Sequence, residues 1–106
     1  MVKQSSTFTG TMLKYLVEIE ATGFDMNRDD FDIQLKKGPK SMLFHKSDLR
    51  TDSTSGTTKY YLCFDSEYFG PGNIQAIVTG YAPDTDFAGG TRRFVDKFDL
   101  VNVLAV

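Results

Sequence analysis

Between Tyr60 and Tyr81 two apolar runs, Tyr60-Tyr61-Leu62-Cys63-Phe64 and Ile74-Gln75-Ala76-Ile77-Val78-Thr79, flank the segment Phe69-Gly70-Pro71-Gly72-Asn73. Both runs are rich in β-branched and aromatic residues, which suit a half-buried pleated surface, so both read as strands. Proline holds φ at about −65° and glycine tolerates positive φ, so the chain can reverse or change sheets at Gly70-Pro71-Gly72 without strain. This strand–turn–strand unit is expected to be the nucleus of a sheet, with the other strands added around it.

The rest of the chain supplies those strands. Leu13, Tyr15, Val17 and Ile19 alternate with Lys14, Leu16, Glu18 and Glu20, the period-two pattern of a strand with one core face and one mostly wet face. Ala21-Thr22-Gly23 ends it, and an acidic loop, Phe24 to Asp30, follows. Phe31, Ile33 and Leu35 alternate with Asp32, Gln34 and Lys36 in a second clean strand; Lys37-Gly38-Pro39-Lys40 turns into a short third, Ser41 to His45. Lys46 to Leu49 reads as a tight turn or one helical turn, with Ser47 or Asp48 placed to cap a backbone N–H. Thr51 to Thr58 is a polar loop, and Ala82 to Gly90 a turn-rich crossing. In the last strand, about Arg92 to Val103, Phe94, Phe98 and Leu100 share one parity while Val95, Val101 and Val103 share the other. That switch predicts a bulge, or a strand bent between two sheets. Residues 1–11 are polar with one aromatic, Phe8, and cannot bury enough surface to offset their ordering entropy, so they read as a flexible N-terminal arm. Residues 12–106 then form one all-β domain, a two-sheet antiparallel sandwich of immunoglobulin-like (Ig-like) type with six to seven strands.

At 106 residues the chain can bury a core without staples, and its single cysteine, Cys63, excludes an intrachain disulfide. Flanked by Leu62 and Phe64, Cys63 reads as a small buried hydrophobe. Charges nearly balance, 12 Lys+Arg against 14 Asp+Glu, so no nucleic-acid surface is expected. No apolar run is long enough for a membrane helix, and the first residues lack the apolar core of a signal peptide, which points to synthesis in a cytoplasm.

Chemistry-bearing patterns are few. His45 is the only histidine, and no nucleophile elbow or oxyanion loop accompanies it, so no catalytic residue is assigned and no enzyme is expected. Asp25-Met26-Asn27-Arg28-Asp29 opens like a D-x-N-x-D calcium loop, but the sixth position is Asp30 and the twelfth Lys36 rather than Gly and Glu. Asp84 and Asp86 offer oxygens in another loop; turn chemistry accounts for all of these aspartates, and no metal or cofactor is assigned. Gly70-x-Gly72 precedes a strand, so no helix N-terminus is there to hold a phosphate. Aromatics are abundant, 9 Phe and 5 Tyr, and several flank turns. Some of these plug the ends of the sandwich, and Phe8, Tyr68, Phe69 and Phe87 are the candidates for a partner-binding surface.

The set Tyr61-x-Cys63-Phe64-Asp65, Phe69-Gly70-Pro71-Gly72, Pro83-Asp84-x-Asp86-Phe87 and Gly90-x-Arg92, with Gly23-Phe24-Asp25-Met26 and Asp29-Asp30-Phe31 before it, resembles small Ig-like virion proteins of crAss-like tailed phages. The resemblance spans about Leu13 to Val103 and rests on turn and core residues. It implies a non-enzymatic structural protein of a bacteriophage particle, made in the host cytoplasm and located in the virion. The role implied first is an auxiliary capsid (decoration) protein on the major capsid protein; a head-fibre or tail adaptor subunit in a homo- or hetero-oligomeric assembly is the alternative. A carbohydrate- or surface-binding sandwich, with Tyr68, Phe69 and Phe87 stacked on sugar rings, is the reading from another class.

Overall fold

Strict alternation buries Phe31, Ile33 and Leu35 and turns Asp32, Gln34 and Lys36 away from the core. The larger sheet is built around that strand. The computed structural model describes residues 5–106. Its strands are β1 (Ser5–Phe8), β2 (Met12–Val17), β3 (Phe31–Lys37), β4 (Lys40–His45), β5 (Arg50–Asp52), β6 (Lys59–Asp65), β7 (Gly72–Pro83) and β8 (Thr91–Leu104). Five form one sheet in the order β1-β8-β7-β3-β4, and three form a second in the order β2-β6-β5. Their inner faces meet in one core: Phe31, Ile33, Leu35, Ile74, Ala76 and Val78 from the large sheet, Tyr60, Leu62 and Phe64 from the small one. The chain is an all-β sandwich.

The expected nucleus takes a different form. β6 and β7 are strands, but they lie in different sheets, so the Gly-Pro-Gly segment is a crossing and not a hairpin. A 3-10 turn, Ser66–Tyr68, starts the crossing with the Asp65 carboxylate accepting from the Glu67 N–H at 2.9 Å. Phe69 then inserts into the core, 1% exposed, edge-on to Phe64 with centroids 6.1 Å apart. Lys37 holds the Phe69 carbonyl at 2.8 Å. Burying that ring pulls the chain from one layer to the other, and Gly70 at φ 70° completes the corner.

The segment Ala82 to Gly90, expected as a crossing, instead joins β7 to β8 as a hairpin in which twelve residue pairs are in register, from Gly72↔Val103 to Pro83↔Thr91. The parity switch in β8 is a bulge. Ile74 pairs with Val101 and Gln75 with Asp99, so Leu100 is the extra residue. Below it Val101 and Val103 are buried in the core; above it Phe94 and Phe98 stand opposite Gly80 and Ala76, Phe94 half-buried and Phe98 exposed.

Two short strands were not expected. Thr51 and Asp52, read as loop, belong to β5 against β6. Residues 5–8 of the expected flexible arm form β1, which pairs in parallel with Val101–Leu104 of β8. The sandwich is therefore not wholly antiparallel, and the described residues hold eight strands. A ladder of backbone hydrogen bonds orders β1 where side-chain burial alone would not. Residues 1–4 of that arm lie outside the described residues. Cys63, expected in the core, sits half-buried on the outer face of the small sheet opposite Lys14. Its neighbours Leu62 and Phe64 took the inner parity.

Ile74 is wholly buried beside the bulge. Replacing Ile74 by Ala is expected to lower stability by about 2–5 kcal/mol, read as a shift of the denaturant midpoint at unchanged slope.

Candidate functional site

Among the described residues, one long side of the sandwich has a groove between two unpaired strand edges. In the small sheet β2 pairs only with β6, so its outer edge carries no strand among the described residues. In the large sheet β1 reaches only Val101–Leu104, so among the described residues no strand covers the outer edge of β8 from Thr91 to Leu100. Between these edges runs a groove of about 360 Å³. Tyr15 and Val17 wall it on the β2 side, Phe94 and Phe98 on the β8 side, with Leu62 and Ala76 beneath. Glu18, Glu20 and Asp96 add acid along it.

Local sequence explains the walls. The β2 alternation continues past its last paired residue, with Ile19 half-buried and Glu18 and Glu20 exposed. On β8 the outer end of the Phe94 ring lies over Gly80, where a Cβ would come within 2.1 Å of the ring carbon Cζ. Phe24 packs edge-on against Phe94 at 5.0 Å. A glycine in the cross-strand position thus seats an aromatic that needs the room. Groove residues stay accessible: Phe98 is 40% exposed and Leu16, on the outer face of β2, 47%. Leu16 was not among the expected binding residues. Its signal was present, an apolar residue between Lys14 and Glu18 at the polar parity of an alternating strand.

The four expected partner-binding aromatics do not form one surface. Phe69 is buried, a correction explained by its role as the corner anchor. Phe8 is exposed on β1 opposite Leu104, at one end of β8. Phe87 is exposed in the loop preceding the other end, so the fourteen residues of β8 separate them by about 45 Å. Tyr68 is half exposed near β4, its hydroxyl donating to the Ser41 carbonyl at 3.3 Å and Lys40 over its ring at 5.7 Å. A sugar platform of Tyr68, Phe69 and Phe87 is not assembled.

The acidic loop is held by its own hydrogen bonds. The Asp25 carboxylate accepts from the Asn27 N–H at 2.9 Å, and Asp29 accepts from the Asp25 N–H at 2.9 Å. Arg28 forks onto both Asp29 oxygens at 2.9 Å, and this bond holds the Asp29 carboxyl down at about 2. Lys46 donates to the Asp29 carbonyl at 2.9 Å, tying the loop to the turn after β4. In the other acidic loop Asp84 is occupied by Arg92 at 3.2 Å, and Arg92 also donates to the Thr22 carbonyl. Among the described residues no group of three or more His, Cys, Asp or Glu side chains is placed to hold a metal ion.

His45 Nδ1 lies 2.7 Å from Asp32 Oδ1, directly across the β3–β4 ladder. That bond, with the Asp32 charge behind it, raises the imidazole above its ordinary 6.5. A shallow depression beside it is lined by Asp30, Lys46 and Leu49. Among the described residues no hydroxyl or thiol is hydrogen-bonded to His45, so the geometry is that of a cross-strand ion pair.

Comparison with protein-family models, with curated proteins and with solved structures gave no match.

Two outcomes follow from this geometry. Because the folded state favours the charged imidazole, the stability contributed by His45 is complete below the ordinary value and is lost as pH rises through the folded one. The melting temperature of the protein, relative to a His45→Gln variant, should fall as pH is raised from about 6 to about 8. Gly80→Ala should cost about 1–3 kcal/mol by displacing the Phe94 ring, measured by denaturant unfolding.

Proposed function

We propose that this chain is a structural subunit of a tailed-phage virion, an Ig-like auxiliary capsid protein whose sandwich is completed by a neighbour in the particle. The observation that carries the reading is the open side. Two strand edges face solvent across an apolar groove. A chain that works alone keeps such edges short, charged or covered, because each offers a row of free backbone donors and acceptors. Here β2 and the upper part of β8 are among the longer uncovered edges, with Leu16, Val95 and Phe98 exposed along them. Surfaces of this kind belong to assemblies.

The Ig-like part of the reading is supported by strand order. With β2 taken as strand B, the small sheet runs B-E-D and the large sheet carries G-F-C-C′, the two layers of a variable-type domain. In that lettering the place beside B, held by strand A in the four-stranded A-B-E-D layer, has no strand among the described residues. The capsid location rests on the resemblance of the turn and core segments to crAss-like phage virion proteins.

Sedimentation of the purified protein with capsids of such a phage tests it. Saturable co-sedimentation at a fixed number of copies per capsid is expected. Binding on a glycan array by a protein that fails to sediment with capsids, adaptors or fibres would overturn it.

A further inference from the structure

The open edge of β2 has a self-complementary residue order. Along its outer face stand Lys14, Leu16 and Glu18; along its inner face Leu13, Tyr15, Val17 and Ile19. When two copies of a strand pair antiparallel about a two-fold axis normal to the sheet, residues equidistant from the axis face each other on the same side. With the axis at Leu16, Lys14 of each copy meets Glu18 of the other, twice. On the inner face Tyr15 meets Val17 and Leu13 meets Ile19, each twice, so the row of half-buried apolar residues continues across the junction. Leu16, 47% exposed in one copy, covers itself at the axis. Moving the axis one residue either way sets Leu16 against Lys14 or against Glu18, and the match is lost.

We propose that the occupant of the open side is a second copy of this chain: two domains associate β2 to β2 about a two-fold axis at Leu16, joining their three-stranded sheets into one of six. This deepens the assembly reading and rests on it only in taking the open side as an interface. The new strand sits beside β2, where the B-E-D layer has no further strand among the described residues. The neighbouring groove wall, Phe94 and Phe98, lies on the same side of the sandwich, so pairing at β2 also brings the two grooves together and shelters their apolar lining from water. Lys14, which lies over the Tyr61 ring at 4.5 Å, would in one chain alone discourage strand addition; opposite Glu18 it favours this register over others.

Sedimentation equilibrium of the full chain is the first measurement, and a concentration-dependent dimer is expected. Leu16→Arg places two like charges at the axis and should abolish the dimer while the melting temperature, read at a concentration where the unaltered protein is monomeric, stays the same. Lys14→Glu and Glu18→Lys should each weaken association about tenfold, and the double exchange should restore it. In a Cys63→Ser background, Leu16→Cys should give a disulfide-linked dimer on mild oxidation, because directly opposed strand residues lie at Cα distances a disulfide spans; Leu13→Cys, whose opposite is Ile19, should not. A protein that remains monomeric up to about 1 mM, the weak end of specific association, overturns the proposal. So does a dimer indifferent to Leu16→Arg. If monomeric protein still sediments with capsids, the virion reading stands and the self-pairing falls; if the dimer forms as described without capsid affinity, the reverse holds.

Discussion

The domain depends on β7 being paired on both edges while burying one whole face. All twelve of its residues pair with β8, and the six from Gln75 to Gly80 pair with β3 as well. Its inner row, Ile74, Ala76, Val78, Gly80 and Ala82, is buried throughout. A strand so enclosed has its backbone groups satisfied by two ladders and its apolar side chains removed from water, which makes it the costliest element to lose. The sizes in that row are matched to what lies over them. Large Ile74 fills the lower core where β8 presents Val101 and Val103, and Gly80 yields to Phe94 higher up. The bulge at Leu100 separates these two regimes, because it moves the core face of β8 from one parity to the other.

Loops are attached to this frame mainly by cations on carbonyls and carboxylates. Arg28 closes on Asp29, Lys46 reaches the Asn27 and Asp29 carbonyls, Arg92 joins the β7–β8 loop to Thr22, and Lys37 holds Phe69. Lys46 also sits within 6 Å of the Phe31 and Tyr60 rings, where its charge meets their negative faces. The acidic loop that opens like a calcium motif is organised by protein donors. An aspartate whose oxygens accept from an arginine fork and a backbone N–H has little left to offer a cation.

The edges of the two sheets are treated differently. On one side of the sandwich the small sheet ends in β5, three residues long, and the large sheet in β4, six residues long and paired only with β3. On the other side, among the described residues, β2 has no outer neighbour and β8 is covered only at its lower end by β1. The groove lies on the β2 and β8 side, and which strands stand at the edges is a property of strand order.

Parity is the part of this structure that the sequence by itself determined. Side chains alternate across a strand with period two, so the inward sets of β2, β3 and β7 follow from local order and are found where the alternation placed them. The parity change in β8 was legible too, but that it is a bulge at Leu100 was decided by the pairing with β7. Partner choice was decided only by the tertiary structure. Backbone donors and acceptors are chemically the same in every strand, so nothing local says that β6 and β7 part into different layers or that β1 lies parallel to β8. Nor does anything local separate Tyr68 from Phe69, adjacent aromatics of which one stays half exposed and the other anchors the core. Their difference comes from the direction the chain leaves the small sheet. The open side is the same kind of fact: Leu16 is visible as an anomaly in an alternating run, but only the strand order leaves the edge beside it without a neighbour among the described residues.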